Sequence, residues 1–234
     1  DVIADFSGKL LIKNSVPTYV KKIFKEQFDY LEKKGFKDTK NFPWHSLSLQ
    51  EDDTHPEQII NIAKTLNLSK TMSRKEHLRK SVIRTMQLQD RFNIEITEDN
   101  FQTNAWKIAQ EFFHSDLMKA KKINLSDEYD YYNMIFSNLK NNNVTKAIVL
   151  VNNQPLGFYL MEEQNEVYTS LYALIILRYK LKYLVDYVIM NILKTSKTEY
   201  LNMGGSEDIG IHEFKMKYHP ESQQQMYWAT NYSK

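Results

Sequence analysis

Three stretches of this 234-residue chain carry the residue types that handle phosphates and other anions. In the segment from Tyr200 to Pro220, paired Gly204 and Gly205 precede Ser206, and Gly210 follows. Paired glycines reach positive φ freely and let a ligand or a neighbouring backbone come close. A helix starting near Ser206 or Asp208 would expose unpaired N–H groups, which is an anion site in principle, with Glu207 and Asp208 opposing an anion by charge. The plainer alternative is a tight strand-to-helix turn with Ser206 or Asp208 as its cap. On that helix Ile211, Phe214 and Tyr218 share an apolar face, which leaves Lys215 and Lys217 pointing elsewhere.

The second stretch, Arg178-Tyr-Lys-Leu-Lys-Tyr183, offers Arg178, Lys180 and Lys182 to a phosphate by side chain, or is simply a solvated basic turn. The third, from Ser69 to Arg91, sets seven cations against Glu76 and Asp90. Steps of four and five residues keep Lys70, Arg74 and Arg79 near one stripe of a helix. Such a stripe binds nucleic-acid phosphates or a nucleotide-linked substrate, or stands in solvent. The six histidines have no metal-ligand spacing, so no metal site is expected. His212 and His219, close to Lys215, and the pair Glu162-Glu163 are candidate bases. There is no cysteine, hence no thiol nucleophile or disulfide framework. Neither a Ser/His/Asp arrangement nor a Walker loop is present.

These residues need elements to hold them. Val2–Phe6 and Lys9–Lys13 read as short strands. Ser15 and Pro17 open a helix whose apolar face is Val20, Ile23, Phe24, Phe28 and Leu31, stopped at Gly35. Pro43–Leu47 reads as a strand, Pro56–Leu66 as a helix, and Ser69–Met86 as a basic helix. From Phe92 the pattern is regular: strand Phe92–Thr97, helix Asn104–Met118, and helix Asp127–Lys140 capped by Ser126. A hairpin follows from strands Val144–Val151 and Leu156–Glu162 around Asn152-Asn153, then a long strand Glu166–Leu177. A helix to about Lys194, strand Glu199–Met203, the glycine turn, helix Asp208–Lys217 and strand Gln224–Asn231 complete the order.

Composition sets outer bounds. Hydrophobic residues at 42% and aromatic residues at 13% are ample for a packed core. A net charge of +2 does not by itself imply nucleic acid. The apolar runs Leu174–Leu177 and Val188–Leu193 are broken by Arg178, Lys180, Lys182 and Asp186, so no membrane span is predicted. No charged n-region followed by an apolar run opens the sequence, so a cytoplasmic location without a signal peptide is the expectation. Only six glycines occur, half of them within Gly204–Gly210.

The element order from residue 92 onward, β-α-α-β-β-β-α-β-α-β, is similar to that of the GNAT acyltransferase fold. The expected class is therefore α/β (α+β): a GNAT-like mixed, mainly antiparallel sheet flanked by helices over residues 91–234. Residues 1–90 would be an N-terminal extension or a reduced, partial companion domain bearing the basic helix. Asn202-Met-Gly-Gly-Ser206, followed by Gly210 and Phe214-Lys215, resembles the C-terminal signature of Fem-type peptidyltransferases and of the lysyl-phosphatidylglycerol-synthase catalytic domain. Pro43-Trp-His-Ser-Leu47 and the basic helix from Ser69 to Arg84 resemble the Fem pattern of a "PW" strand before an Arg/Lys-rich helix.

The resemblance implies an enzyme that moves an aminoacyl group from aminoacyl-tRNA to an amine or hydroxyl acceptor on a small molecule, peptide or lipid. It places Phe214 and Lys215 near the reacting centre, with Lys215 stabilising developing negative charge. Gly204, Gly205, Ser206, Arg178 and Lys180 would bind substrate, and Lys70, Arg74 and Arg79 would contact nucleic acid or phosphate. No cofactor is required on this reading. Acetyl-CoA-binding GNAT proteins carry Gln/Arg-x-x-Gly-x-Gly/Ala before the helix that follows the long strand. Here Arg178 fits the first position, but Leu181 and Tyr183 stand where small residues are needed, which disfavours acyl-CoA as donor. An acyl-CoA-dependent N-acetyltransferase and a non-catalytic RNA- or partner-binding module are the alternatives.

Overall fold

Between Val144 and Ile176 the sequence is a nearly continuous apolar run, interrupted by Asn152-Asn153 and by a polar stretch around Asn165. Such a run needs cover on both faces, and the rest of the chain supplies it. The structure is a computed structural model; the residues described are 19–38, 55–74, 76–120, 125–137, 139, 144–163, 165–206 and 209–230. In chain order they form β1 (Tyr19–Ile23), α1 (Lys25–Lys33), β2 (Lys37–Asp38), β3 (Glu57–Asn61), α2 (Ile62–Thr71), α3 (His77–Gln89), β4 (Ile94–Thr97), α4 (Phe101–Phe113), α5 (Asp116–Ala120) and α6 (Leu125–Ser137). There follow β5 (Val144–Val151), β6 (Gln154–Glu163), β7 (Tyr168–Ile176), α7 (Leu184–Thr195), β8 (Tyr200–Asn202), α8 (Ile209–Met216), β9 (Ser222–Gln224) and β10 (Tyr227–Thr230).

Seven of these strands make one sheet in the order β4-β5-β6-β7-β8-β3-β9. Every pairing in it is antiparallel except β7 with β8, which is parallel and is reached through the crossover helix α7. The fold class is thus the expected mixed, mainly antiparallel sheet with helices on both sides. One face buries Ala147, Val149, Tyr159 and Met161 against α2, α3 and α7. The opposite face buries Ile148, Phe158, Leu160 and Ile175 against α4 and α6. The expected hairpin is present: Asn152 and Asn153 have φ of 48° and 65°, the two positive angles of a type I′ turn.

Gly157 on β6 is required by a close approach. A Cβ there would lie 2.9 Å from the carbonyl oxygen of Ile175 on the neighbouring strand and collide with the Ile176 side chain.

Two expectations are corrected. The apolar spacing of residues 20–31 suggested one helix, but Tyr19–Ile23 is strand β1, and only α1 from Lys25 onward is helical. Val20 and Ile23 fit either period, and pairing with β10 decides for the strand. The helix expected over Pro56–Leu66 is strand β3 as far as Asn61, whose side-chain oxygen caps α2 by accepting from the Lys64 N–H at 3.0 Å. The basic stretch is likewise two helices, α2 and α3, rather than one. Helix α6 begins at Leu125, so Ser126 lies inside it rather than capping it. The strands expected over residues 2–13 and the Pro43–Leu47 motif lie outside the described residues.

Residues 57–89, assigned from sequence to the N-terminal unit, contribute β3 to the large sheet and α2 and α3 to its cover. A second, three-stranded sheet runs β1-β10-β2 and packs on α1 through Ile23, Phe28, Leu31, Phe36 and Ala229.

Candidate active site

Strands β7 and β8 pair only over Tyr168–Ser170 and Tyr200–Asn202. Beyond that point β7 runs on to Ile176, whereas the chain leaving β8 turns toward β3, so a fork opens after Ser170 and Asn202. At the fork β7 carries an extra residue. Leu171 opposes Met161 and Ala173 opposes Leu160, which leaves Tyr172 bulged and 47% exposed. A bulge re-aims the backbone locally.

The glycine turn closes the other arm of the fork. Met203 N–H donates to the Gln58 carbonyl at 2.9 Å, Gln58 N–H to the Gly204 carbonyl at 3.2 Å, and His55 and Ser206 exchange backbone bonds at 3.1 and 3.3 Å. Gly204 takes φ of 72°, a left-handed angle that reverses the chain. Its N–H donates to Asn202 Oδ1 at 2.8 Å, while Asn202 Nδ2 donates to Glu57 Oε2 at 2.5 Å. Ser206 and Gln58 are fully buried, and among the described residues neither Ser206 Oγ nor Gln58 Oε1 has a hydrogen-bond partner.

Helix α8 lays its side chains on this turn. Lys215 Nζ donates to the carbonyl oxygen of Gly204 at 3.2 Å and also to that of Gly205. Phe214 does not reach the turn in the same way. Its ring packs on the main core, edge-on to Tyr218 with centroids 5.8 Å apart, and the Lys217 ammonium sits 3.9 Å from its centroid. His212 stacks on His55 with centroids 4.7 Å apart, and its Nδ1 lies 3.5 Å from Gln58 Nε2. His219 follows α8 in a left-handed conformation, φ 54°. The structure therefore gathers Gly204, Gly205, Ser206 and Lys215 into one place, with His212 beside them.

Below α8 a buried polar junction holds the site to α7. Asp186, in the first turn of α7 and 4% exposed, accepts from the Tyr218 hydroxyl at 2.8 Å and pairs with Lys217 through the same oxygen. Burial pushes the Lys217 ammonium below its usual range, Asp186 opposes that shift, and the nearby Arg84 reinforces it. Burial, aided by Asp186, holds the Tyr218 phenol well above its usual value. The Tyr218 carbonyl accepts from Thr65 Oγ1 at 3.0 Å, which ties the end of α8 to α2 as well.

The basic loop before α7 is largely spoken for. Lys180 pairs with Glu111 at 2.5 Å, and Tyr179 donates its hydroxyl to the same carboxylate at 2.8 Å, which lowers the Glu111 pKa and helps raise that of Tyr179 to about 12. Arg178 is exposed and Lys180 points to α4, so the two do not converge on one ligand. Tyr183, at the start of α7, has φ of 69°, a conformation that suits glycine and strains a bulky residue. Its ring lies under the Arg84 guanidinium at 4.4 Å. The backbone bend of a phosphate-cradling loop is present, but side chains fill it.

The basic strip is split in the same way. Lys70 and Arg74 are exposed, but Arg79 donates from Nη1 to the Ser69 carbonyl at 2.9 Å, closing the end of α2. Among the described residues no group of three or more His, Cys, Asp or Glu side chains is placed to hold a metal, and no helix is long and apolar enough to cross a membrane. Sequence reasoning missed Glu57, Gln58, Asp186 and the Tyr172 bulge. A polar pair inside a short strand and a carboxylate in a helix's first turn carry no local signal of burial.

No protein-family model matches the sequence, and no curated protein matches it. Solved structures do match. The chain is similar to the C-terminal domain (DUF2156) of a putative lysylphosphatidylglycerol synthetase from Agrobacterium fabrum, at 12% identity and a TM-score of 0.56, over 98% of this chain and 73% of that one. It is similar to FemX at 10% identity and a TM-score of 0.60, over 99% and 76%. A tandem GNAT protein from the clavulanic acid biosynthesis pathway matches at 7% identity and a TM-score of 0.51, over 98% and 68%. At such identities the likeness establishes a shared GNAT-type fold.

Proposed function

We propose that this protein is an acyltransferase that moves an aminoacyl group from aminoacyl-tRNA to an amine or hydroxyl acceptor, without a bound cofactor. The observation that carries the reading is the Lys215 ammonium, pinned on the carbonyls of Gly204 and Gly205 beside the fork of β7 and β8. A nucleophile attacks the ester carbon, a C–N or C–O bond forms, and the bond to the ribose oxygen breaks. That oxygen takes up the proton that the acceptor loses. Negative charge collects on the former carbonyl oxygen between these events, and a fixed positive charge there lowers the barrier without reorganising. What Lys215 offers is that charge, held in place by the turn. Positioning of donor and acceptor in the fork supplies the remainder. The lysyl-phosphatidylglycerol and Fem resemblance supports the donor class. The strained Tyr183 and its ring, set where CoA-binding loops keep small residues, argue against acyl-CoA.

The test is a transfer assay with labelled aminoacyl-tRNA and with acetyl-CoA, run over amine and hydroxyl acceptors, alongside calorimetry with CoA. Transfer from aminoacyl-tRNA with no saturable CoA binding is the expected result. Micromolar CoA binding with acetyl transfer would replace it with the acyl-CoA reading. Tight, salt-steep RNA binding with no transfer to any acceptor would leave a binding module.

A further inference from the structure

The register of the large sheet lines up a polar row across its strands. Glu162 on β6 stands opposite Ser170 on β7, and Ser170 stands opposite Asn202 on β8. Directly opposed residues project from the same face, with Cβ atoms roughly 5 Å apart. This is the face on which Leu160 and Ile175 are buried with α4 and α6. The apolar floor thus ends, at the closed end of the fork, in a carboxylate, a hydroxyl and a carboxamide. The bond from Asn202 to Glu57, itself 3% exposed, brings a second carboxylate to the row. Two residues back along β7 and β8, on the same face, Tyr168 and Tyr200 stack with centroids 5.1 Å apart, and Tyr168 is 36% exposed.

These groups share one preference. Ser170 Oγ is buried without a hydrogen-bond partner among the described residues, an omission that a native interior rarely leaves unexplained. A donor N–H from a bound group would satisfy it. Carboxylates attract a cation, and the open faces of stacked tyrosines do the same. The closed end of the fork therefore suits an ammonium group.

We infer that the row formed by Glu162, Ser170, Asn202 and Glu57, with Tyr168 and Tyr200 beside it, is a subsite for an ammonium group. Resting on the transfer reading above, it makes the acceptor a molecule that carries a cationic amine in addition to the group that reacts, such as a diamine or a basic peptide. The Glu162 carboxylate repels an anionic lipid headgroup from the same place.

The test is calorimetric titration of the whole chain with 1,4-diaminobutane, and with glycerol 1-phosphate as the anionic counterpart. Saturable diamine binding is expected, with no glycerol phosphate binding that competes with it. Glu162→Gln weakens the diamine by about tenfold, the scale of one hydrogen bond to a charged group. Ser170→Ala, which removes one atom and leaves the strand intact, weakens it several-fold. Equal diamine affinity in the wild type and in Glu162→Gln, or no saturable binding at all, overturns the subsite. Diamine binding that is lost in Glu162→Gln, with no transfer to any acceptor, upholds the subsite and overturns the transfer reading. Transfer confined to hydroxyl acceptors, with no diamine binding, does the reverse.

Discussion

Lys215 on α8 bonds the carbonyl oxygens of two successive residues, Gly204 and Gly205, so a single ammonium both closes the turn and charges the site. Its removal should therefore slow the reaction and, by freeing both carbonyls, also loosen the turn. Lys215→Ala is expected to lower aminoacyl transfer by about 100- to 1000-fold, the range for loss of one oxyanion-stabilising group. Single-turnover rates, with a circular-dichroism melt as the folding control, check this. A variant with the wild-type rate would remove Lys215 from the chemistry.

Gly204 is held at φ of 72°, so Gly204→Ala carries a left-handed penalty of about 1–2 kcal/mol. Urea unfolding should show a lower midpoint with an unchanged slope. Because the Gly204 carbonyl is one of the acceptors for Lys215, transfer should fall as well.

Alkaline stability should report on Tyr218. Its phenol is held well above the ordinary 10.0, so above pH 10 the unfolded chain gives up a proton that the folded chain keeps. The stability linked to Tyr218 is complete below pH 10 and is lost as pH rises further. Lys217 works the other way. Its ammonium is depressed below 10.5, so its share rises with pH as 10.5 is approached. Tyr218→Phe removes the first slope and keeps the second, and should unfold less steeply between pH 9 and 11 than the wild type does, as about one unit of pH on either side of 10 spans the titration. Identical pH slopes would refute the assignment.

Arg79 and Arg74 belong to the same basic run but should separate cleanly. Arg79→Ala frees the Ser69 carbonyl and should destabilise by about 1–3 kcal/mol in denaturant unfolding. Arg74→Glu, at an exposed loop position, should leave stability within about 0.5 kcal/mol. If the run meets tRNA, the Arg74 variant should weaken binding and lower the salt slope by about one or more.

Much of this arrangement was legible from residue types. Apolar runs announced β5 to β7, Asn152-Asn153 announced the turn between β5 and β6, and paired glycines followed by a helical face announced the β8-to-α8 corner. Strand β3 was not legible because Glu57 and Gln58, both buried, look like solvent-facing residues until Asn202 and the glycine turn are set against them. The union of Asp186 with Tyr218 spans two helices and leaves no local trace. The bulge at Tyr172 needs no glycine and so leaves no mark in the composition. Arg79 looked like one of several equivalent cations, and only the end of α2 distinguishes it.

Strand β10 lies between β1 and β2, with Thr230 opposite both Tyr19 and Lys37. During synthesis on a ribosome, residues 19–38 emerge long before the strand that joins them, and among the described residues no earlier strand pairs with either. The small sheet must therefore close after translation of residues 227–230, against the slow kinetics of distant pairing. Until then two short strand edges stand open in the nascent polypeptide, and chaperones that bind extended segments have a defined interval in which to hold them.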